Sequence, residues 1–457
     1  MSETTYDVVI IGAGPGGEVC AGRLADAGLA VAIVEEHLVG GECSYYGCMP
    51  SKALLRPEQA VAETQRVPGA REAVTGSLDV AAVLARRAEV IHDLDDSVQL
   101  PWLKQRDIAL HRGRGEITGE RRVKVGEDVL HARRAVVIAT GSSAALLPVD
   151  GLADAKPWTN REATTAQEVP GRLLVLGGGV VGVELSQAYR SLGSEVTLVE
   201  FGPRLIGREE PFASEQVEAA LRADGVDVRL STSADAVTRE DDEVHAVLSD
   251  GTTVVADEIL VAAGRKPNTD GLGLDAAGVP SGGSIDTDLQ LRVIGAQDWL
   301  YAVGDVNGRA LLTHQGKYQG RIAADHILGG ACPSLVYGGP LSPRVIFTEP
   351  QVAAVGHTLA SALEAGIDAR AVDADMNSTA GASFVGRNEP GRARIVVDEN
   401  RRVLVGATFT GADVAEFVHA ATIAIVGDVS IDRLWHAVPS FPTRSEVWLK
   451  LLEEYGL

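Results

Sequence analysis

The sequence predicts an α/β protein with two Rossmann-like dinucleotide-binding domains and a separate α+β domain at its C-terminal end. Three observations predict it. A strand, a glycine turn, a helix and a second strand ending in an acid run through "YDVVIIGAGPGGEVCAGRLADAGLAVAIVEE". The same series recurs in "RLLVLGGGVVGVELSQAYRSLGSEVTLVE". After about residue 340 the pattern changes to short strands with hairpin turns, as in "RVIFTEPQVAAVG" and "ARIVVDENRRVLVGATFTG", followed by a helix.

The first series opens on an unbroken apolar run, Val8 to Ile11, as a strand buried on both faces requires. Gly12, Gly14 and Gly17 follow, then small and apolar residues at helical spacing up to Gly28. A second apolar run from Ala30 to Val34 ends in Glu35. The second series carries Gly177, Gly179, Gly182 and Glu200, and both place the acid 23 residues after the first glycine. Each residue type has a reason. The first glycine permits the tight turn, and the second lets backbone approach a pyrophosphate at the helix N-terminus. The third allows helix to pack on strand, and the acid accepts from a ribose 2′-hydroxyl. One such motif is weak evidence; two complete copies point to two dinucleotide sites. Further strands end in similar turns at Thr140-Gly141, Gly264-Arg265 and Gly304-Asp305.

A chain of 457 residues is too long for one core, and 45% apolar residues with 51 glycines describe a folded, loop-punctuated protein. Lysine plus arginine number 41 against 63 acids, a net charge of −22. The densest basic stretches are pairs such as Arg86-Arg87, Arg121-Arg122 and Arg133-Arg134. That balance argues against nucleic acid or an anionic membrane as partner. "MSETTYDVVIIGAG" has no basic segment before its apolar run, and no stretch reaches membrane-spanning length, so the expected location is the cytoplasm.

Four cysteines make no secreted disulfide framework, yet Cys43 and Cys48 stand five positions apart in "GECSYYGCMPSK". In a reducing compartment a close pair reads as catalytic or metal-binding. Two inert thiols or half of a zinc site are the competing readings. Zinc prefers a shorter spacing and two further ligands, which do not appear nearby, so no metal is expected. Pro50 suits a first helical position, and a helix N-terminus there lowers a thiol's pKa. Cys20 and Cys332 lie in apolar or loop contexts that favour inert packing.

With these motifs in place, the chain resembles class I pyridine nucleotide-disulfide oxidoreductases, the family of dihydrolipoyl dehydrogenase, glutathione reductase and mercuric reductase. The resemblance covers essentially all of the chain and adds "ATG" at 139–141, "AAGRKPN", "AVGD" and "FPTRSE" to the motifs above. It implies an FAD-binding domain over 1–150, an NAD-binding domain over 151–270, a central domain over 271–340 and a dimerisation domain over 341–457, acting as a homodimer. It implies a redox-active disulfide in which Cys43 exchanges with substrate and Cys48 faces the flavin. Lys52, one helical turn after Cys48, would reach the flavin and pair with Glu184. Gly41, Gly115, Thr140, Gly141, Asp305 and Thr313 would complete the FAD site; Gly264 and Ala234 would contact NAD. Glu200, with Arg204 four residues on, favours NAD(H) over NADP(H).

One position departs from the pattern. Disulfide-reducing members carry His-Pro-Thr-x-x-Glu near the C-terminus, the histidine acting as base and the glutamate orienting it. Here the stretch is Phe441-Pro442-Thr443-Arg444-Ser445-Glu446. Phenylalanine accepts no proton, and the cysteine pair of a mercuric reductase tail is lacking. His436 is the nearest alternative base, though a structural role suits it better. Tyr45 and Tyr46 fit packing against the flavin edge. The expected substrate is therefore a small-molecule or protein disulfide or dithiol other than free dihydrolipoamide. The alternatives are a quinone or dye acceptor, or a non-catalytic flavin redox sensor.

Overall fold

The computed structural model describes residues 3–330, 335, 338–386 and 391–457; Cys332 lies outside them. Two compact units divide the chain. One comprises Met1–Pro50, Ala88–Ala144 and Arg265–Ser342, the other Ser51–Arg87, Ala145–Gly264 and Pro343–Leu457.

The first unit is built on a seven-stranded sheet. Strands Ala109–Arg112, β2 (Val31–Glu35), β1 (Glu3–Ile11), Asp128–Ile138, Arg122–Val125 and Gly115–Gly119 lie in that order, and Leu300–Ala302 also pairs with Asp128–Ile138. Ile11 and Ala302 both register with Ile138, so the parallel strands finish together at one edge. Alternate residues bury in opposite directions. Val8, Ile10, Ile33 and Val137 pack with α1 (Pro15–Asp26) and the helix Thr313–Leu328, while Val9, Ile11, Val34 and Val136 pack with Leu272 and Trp299. That two-sided burial is why the strand reads as an unbroken apolar run. Backbone meets backbone between α1 and the helix Thr313–Leu328: a Cβ on Gly320 would lie 2.5 Å from the Gly16 carbonyl oxygen.

Among its described residues the second unit has three sheets. Asp227–Arg229, Glu195–Val199, Arg172–Leu176 and Glu258–Val261 form a parallel sheet in that order. One face of it, Leu173, Val175 and Leu198, buries against helical residues such as Val183 and Val217; Leu174 and Leu176 bury against the antiparallel sheet Ala234–Glu240, Glu243–Leu248 and Thr253–Ala256. The third, antiparallel sheet runs Arg344–Ile346, Gln351–Gly356, Val403–Gly411, Arg392–Asp398, Ala369–Asp375. It carries the helices Phe417–Val426 and Val447–Tyr455, the α+β pattern expected after residue 340. Arg87, half of a basic pair in the sequence, is buried here and donates to the carbonyls of Thr164 and Ala166.

Candidate redox and dinucleotide sites

Both glycine turns stand at the carboxyl edge of a parallel sheet, where such folds bind ligands. Gly12 has φ +108°, and Gly177 has φ +113°. A Cβ on Gly17 would lie 2.1 Å from the Gly12 carbonyl oxygen, and one on Gly182 would lie 1.8 Å from that of Gly177. At Gly14 and Gly179 a Cβ would meet nothing within 4 Å, so a ligand reaches bare backbone at the N-termini of α1 and the helix Val180–Ser191. The acids close both turns in one way. Glu35 accepts the N–H groups of Ala13 and His37, each at 2.7 Å. Glu200 accepts those of Gly178 at 2.5 Å and Gly202 at 2.6 Å. Open helix ends beside fixed carboxylates suit a pyrophosphate and a diol, so these residues fit two dinucleotides.

In the first unit the thiols follow directly. Gly40 and Gly41 take φ +115° and +61°, and the chain then winds into α2 (Gly41–Tyr45) before α3 (Cys48–Arg66). Neither the short α2 nor the helix start was legible at this resolution of the sequence: α3 begins two residues before Pro50, which sits within its first turn, where a missing N–H costs nothing. Cys43 and Cys48 are both reduced thiols within hydrogen-bonding reach of one another, and Cys48 Sγ lies 3.3 Å from Thr313 Oγ1. The hydrogen bond to Cys48, with burial, pushes the Cys43 thiol far up, while Thr313 and Lys317 oppose the shift. Cys48 sits at the N-terminus of a 19-residue helix, whose free N–H groups favour a thiolate. Tyr45 is buried, its ring set against Gly40. Cys20 is fully buried, which pushes its thiol up to about 12.

Other expected residues gather near the same edge. Thr140 Oγ1 donates to the Asn268 carbonyl at 2.7 Å, and Gly141 has φ +69°. Asp305 accepts from Ser142 Oγ at 2.6 Å, and burial raises its carboxyl pKa. Gly115 opens the strand Gly115–Gly119, where a Cβ would stand 2.9 Å from Ile11 Cγ2. Sequence reasoning gave no site role to Arg265, Ser142 or Glu42. Arg265 donates through Nε to Ser142 Oγ at 2.7 Å and reaches Glu42 at 3.6 Å and Asp305 at 3.8 Å.

In the second unit, Lys52 donates to Glu184 Oε2 at 2.6 Å, four residues along α3 from Cys48. Glu184 also accepts the N–H of Phe347 at 2.9 Å, and Lys52 Nζ stands 4.8 Å from that ring's centroid. Phe347 is a partner that no local motif announced. Ala234 opens the strand Ala234–Glu240, and Gly264 follows Glu258–Val261 with φ +149°. Phe441 is 76% exposed, His436 is exposed, and Oε2 of Glu446 is buried with no hydrogen-bond partner. Among the described residues no three side chains gather as metal ligands, and no helix is long and apolar enough to cross a membrane.

Comparison with known proteins places these features in a wider set. The pyridine nucleotide-disulphide oxidoreductase model matches residues 6–320, and that family's dimerisation-domain model matches 342–452. A dihydrolipoyl dehydrogenase of Thermus scotoductus is 33% identical over 98% of this chain and 97% of the relative. A mercuric reductase of Lysinibacillus sphaericus is 29% identical over 98% and 82%. The solved HOCl-induced flavoprotein disulfide reductase RclA of Escherichia coli superposes with a TM-score of 0.85 at 26% identity, covering 98% of this chain and 99% of that one.

Proposed function

The chain belongs to the pyridine nucleotide-disulphide oxidoreductase family, and from that premise we propose an NAD(H)-dependent enzyme whose Cys43–Cys48 pair serves a substrate other than free dihydrolipoamide. The family makes it an FAD-dependent oxidoreductase with a redox-active disulfide and a dimerisation domain. We read 1–150 as the FAD-binding domain, 151–270 as the NAD-binding domain, 271–340 as the central domain and 341–457 as the interface of a homodimer. Sparse cysteines suit a reducing, cytoplasmic setting.

Bound FAD supplies the two-electron link between nicotinamide and the thiol pair. The chain's own residues do the rest. A substrate thiolate attacks Cys43 of the oxidised pair, and Cys48 leaves as thiolate. The second substrate thiol then attacks the mixed disulfide and releases Cys43, so two electrons and the substrate's sulfur–sulfur bond balance, with NAD⁺ the final oxidant. Thr313 and the N-terminus of α3 would hold the Cys48 thiolate, which leaves Cys43 as the exchanging thiol, the role that its family position gives it. Glu184 holds Lys52, the lysine that by family resemblance would reach the flavin. Gly12, Gly14, Gly17, Glu35, Gly41, Gly115, Thr140, Gly141 and Asp305 would hold FAD; Gly177, Gly179, Gly182, Glu200, Ala234 and Gly264 would hold the nicotinamide. Arg204 spends its guanidinium on the Gly207 carbonyl at 2.9 Å, which supports NAD(H) over NADP(H).

The observation that carries the substrate reading is Phe441. A histidine base contributes about 10²–10⁴-fold to such chemistry, and this side chain has nothing to offer a proton. The same absence favours a second reading, an NADH:quinone or dye reductase that needs no base beside the thiols. Phe441→His tests both. We expect dihydrolipoamide oxidation to rise roughly 10²-fold, because Glu446 is present to orient the imidazole, with NADH-to-dye turnover unchanged. Fast wild-type dihydrolipoamide oxidation that collapses in His436→Ala would restore an ordinary lipoamide dehydrogenase with a relocated base.

A further inference from the structure

Glu42 precedes the exchanging thiol, Cys43, and Asp305 follows the strand Leu300–Ala302, more than 250 residues later. One guanidinium stands against both. Arg265 Nη2 lies 3.6 Å from Glu42 Oε2, and its Nε lies 3.8 Å from Asp305 Oδ2. The guanidinium is itself held by Ser142, which accepts from Nε through its hydroxyl at 2.7 Å and from Nη2 through its carbonyl at 2.5 Å. That same hydroxyl donates to Asp305 Oδ2 at 2.6 Å. The strand Ser142–Ala144 pairs antiparallel with Arg265–Pro267, which fixes donor and acceptor across two strands.

We propose that Arg265 is a positioning residue that ties the Cys43 loop, through Glu42, to Asp305, so that one side chain sets both the grip on FAD and the alignment of the thiols. This rests on the reading that Asp305 holds FAD. Two carboxylates close to each other with no cation between them repel, and burial makes a lone charge there costly. Arg265 removes that conflict, and Ser142 prevents it from swinging toward either acid alone. The fork matters as well as the charge: lysine cannot donate to a hydroxyl and a carbonyl in one plane. Asp305 also has its own bond from Ser142, so loss of Glu42 frees the loop but leaves the Asp305 side of the network standing.

The test uses the FAD-loaded enzyme and its variants Arg265→Met, Arg265→Lys, Glu42→Gln, Asp305→Asn and the Arg265→Met/Asp305→Asn double. Two readouts separate the roles: FAD dissociation followed by flavin fluorescence, and the long-wavelength thiolate-to-flavin absorbance at saturating FAD after two-electron reduction. Arg265→Met should weaken FAD roughly tenfold and reduce the absorbance. Arg265→Lys should restore part of the affinity but not the absorbance. Glu42→Gln should reduce the absorbance while FAD affinity stays within about twofold, and it serves if Arg265→Met fails to fold. The double variant should bind FAD no more weakly than the worse single, because Arg265 acts on FAD through Asp305. Additive losses, or Arg265→Met and Glu42→Gln both matching wild type in both readouts, would overturn the proposal. A wild type that takes up no FAD would instead overturn the proposed function.

Discussion

At Gly12 and at Gly177 the chain makes one and the same turn, down to a carboxylate clamped by two backbone N–H groups, yet the surroundings differ. Around the first, Glu35 is buried, and the αL residue Gly41 packs so tightly that a Cβ would lie 2.8 Å from Gly14 Cα. Around the second, Glu200 is half-buried, Val180 on the following helix is 45% exposed, and Phe201 is 83% exposed. On the proposed reading the turn would supply affinity for a pyrophosphate in both. What covers the turn differs, and cover governs how fast a ligand leaves. A covered site suits a cofactor that stays; an open one suits a nicotinamide that exchanges at every turnover.

The largest expected effect breaks the two sites separately. Gly17→Ala drives a methyl into the Gly12 carbonyl and should yield protein without flavin colour. Gly182→Ala does the same at Gly177 and should leave the protein yellow while raising KM for NADH at least tenfold. Absorbance of the purified variants and steady-state kinetics decide it, and a colourless Gly182→Ala would erase the distinction. Next in size, Cys48→Ser should abolish the thiolate-to-flavin absorbance of the reduced enzyme, and Cys43→Ser should keep it. The opposite result would exchange the two thiols' roles beside the covered site.

A smaller effect sharpens the open site. Glu200→Ala with an arginine placed beside it should move preference from NADH toward NADPH by about 1–3 kcal/mol, read as the ratio of kcat/KM values. A wild type that already prefers NADPH would make Glu200 a clamp of the turn alone. The smallest concerns Glu18 on α1, whose carboxyl is pushed up to about 7 by burial, with Lys317 opposing and Glu35 adding. An acid raised in the folded state favours folding below its ordinary pKa, and that contribution is lost as pH rises through about 7. Glu18→Gln should therefore raise the free energy of unfolding at pH 8 by on the order of 1 kcal/mol after allowing for solvent screening, seen as a higher Tm, and change nothing at pH 4. Equal melting curves at pH 8 would refute this.

The residues that could be read from sequence are those whose chemistry is local. Gly12 and Glu35, or Gly177 and Glu200, meet within one βαβ unit, so their spacing alone carries the geometry. Cys43 and Cys48 are neighbours in the chain. The rest is assembled from distant segments. Nothing near Lys52 announces Phe347, and Arg265 meets Glu42 only because two strands and a loop converge at one sheet edge. Arg87 is one half of a short basic pair in the sequence, and only tertiary packing buries it against carbonyls. The start of α3 was misplaced for a related reason: the αL pair Gly40-Gly41 winds α2 and lets a helix begin at Cys48 without waiting for Pro50.

The backbone contact between α1 and the helix Thr313–Leu328 has a consequence for how this protein tolerates change. Gly320 touches neither thiol, but its hydrogen is all that fits against Gly16, and the helix it fixes carries Thr313 to Cys48. A saturation scan selecting for reduced-enzyme absorbance should therefore rank position 320 among the least permissive in the chain, below many residues that line the site. Its neighbour Gly316, where a Cβ would meet nothing closer than 3.5 Å, should accept alanine. Two glycines one helical turn apart would thus diverge in mutational tolerance for reasons of space alone.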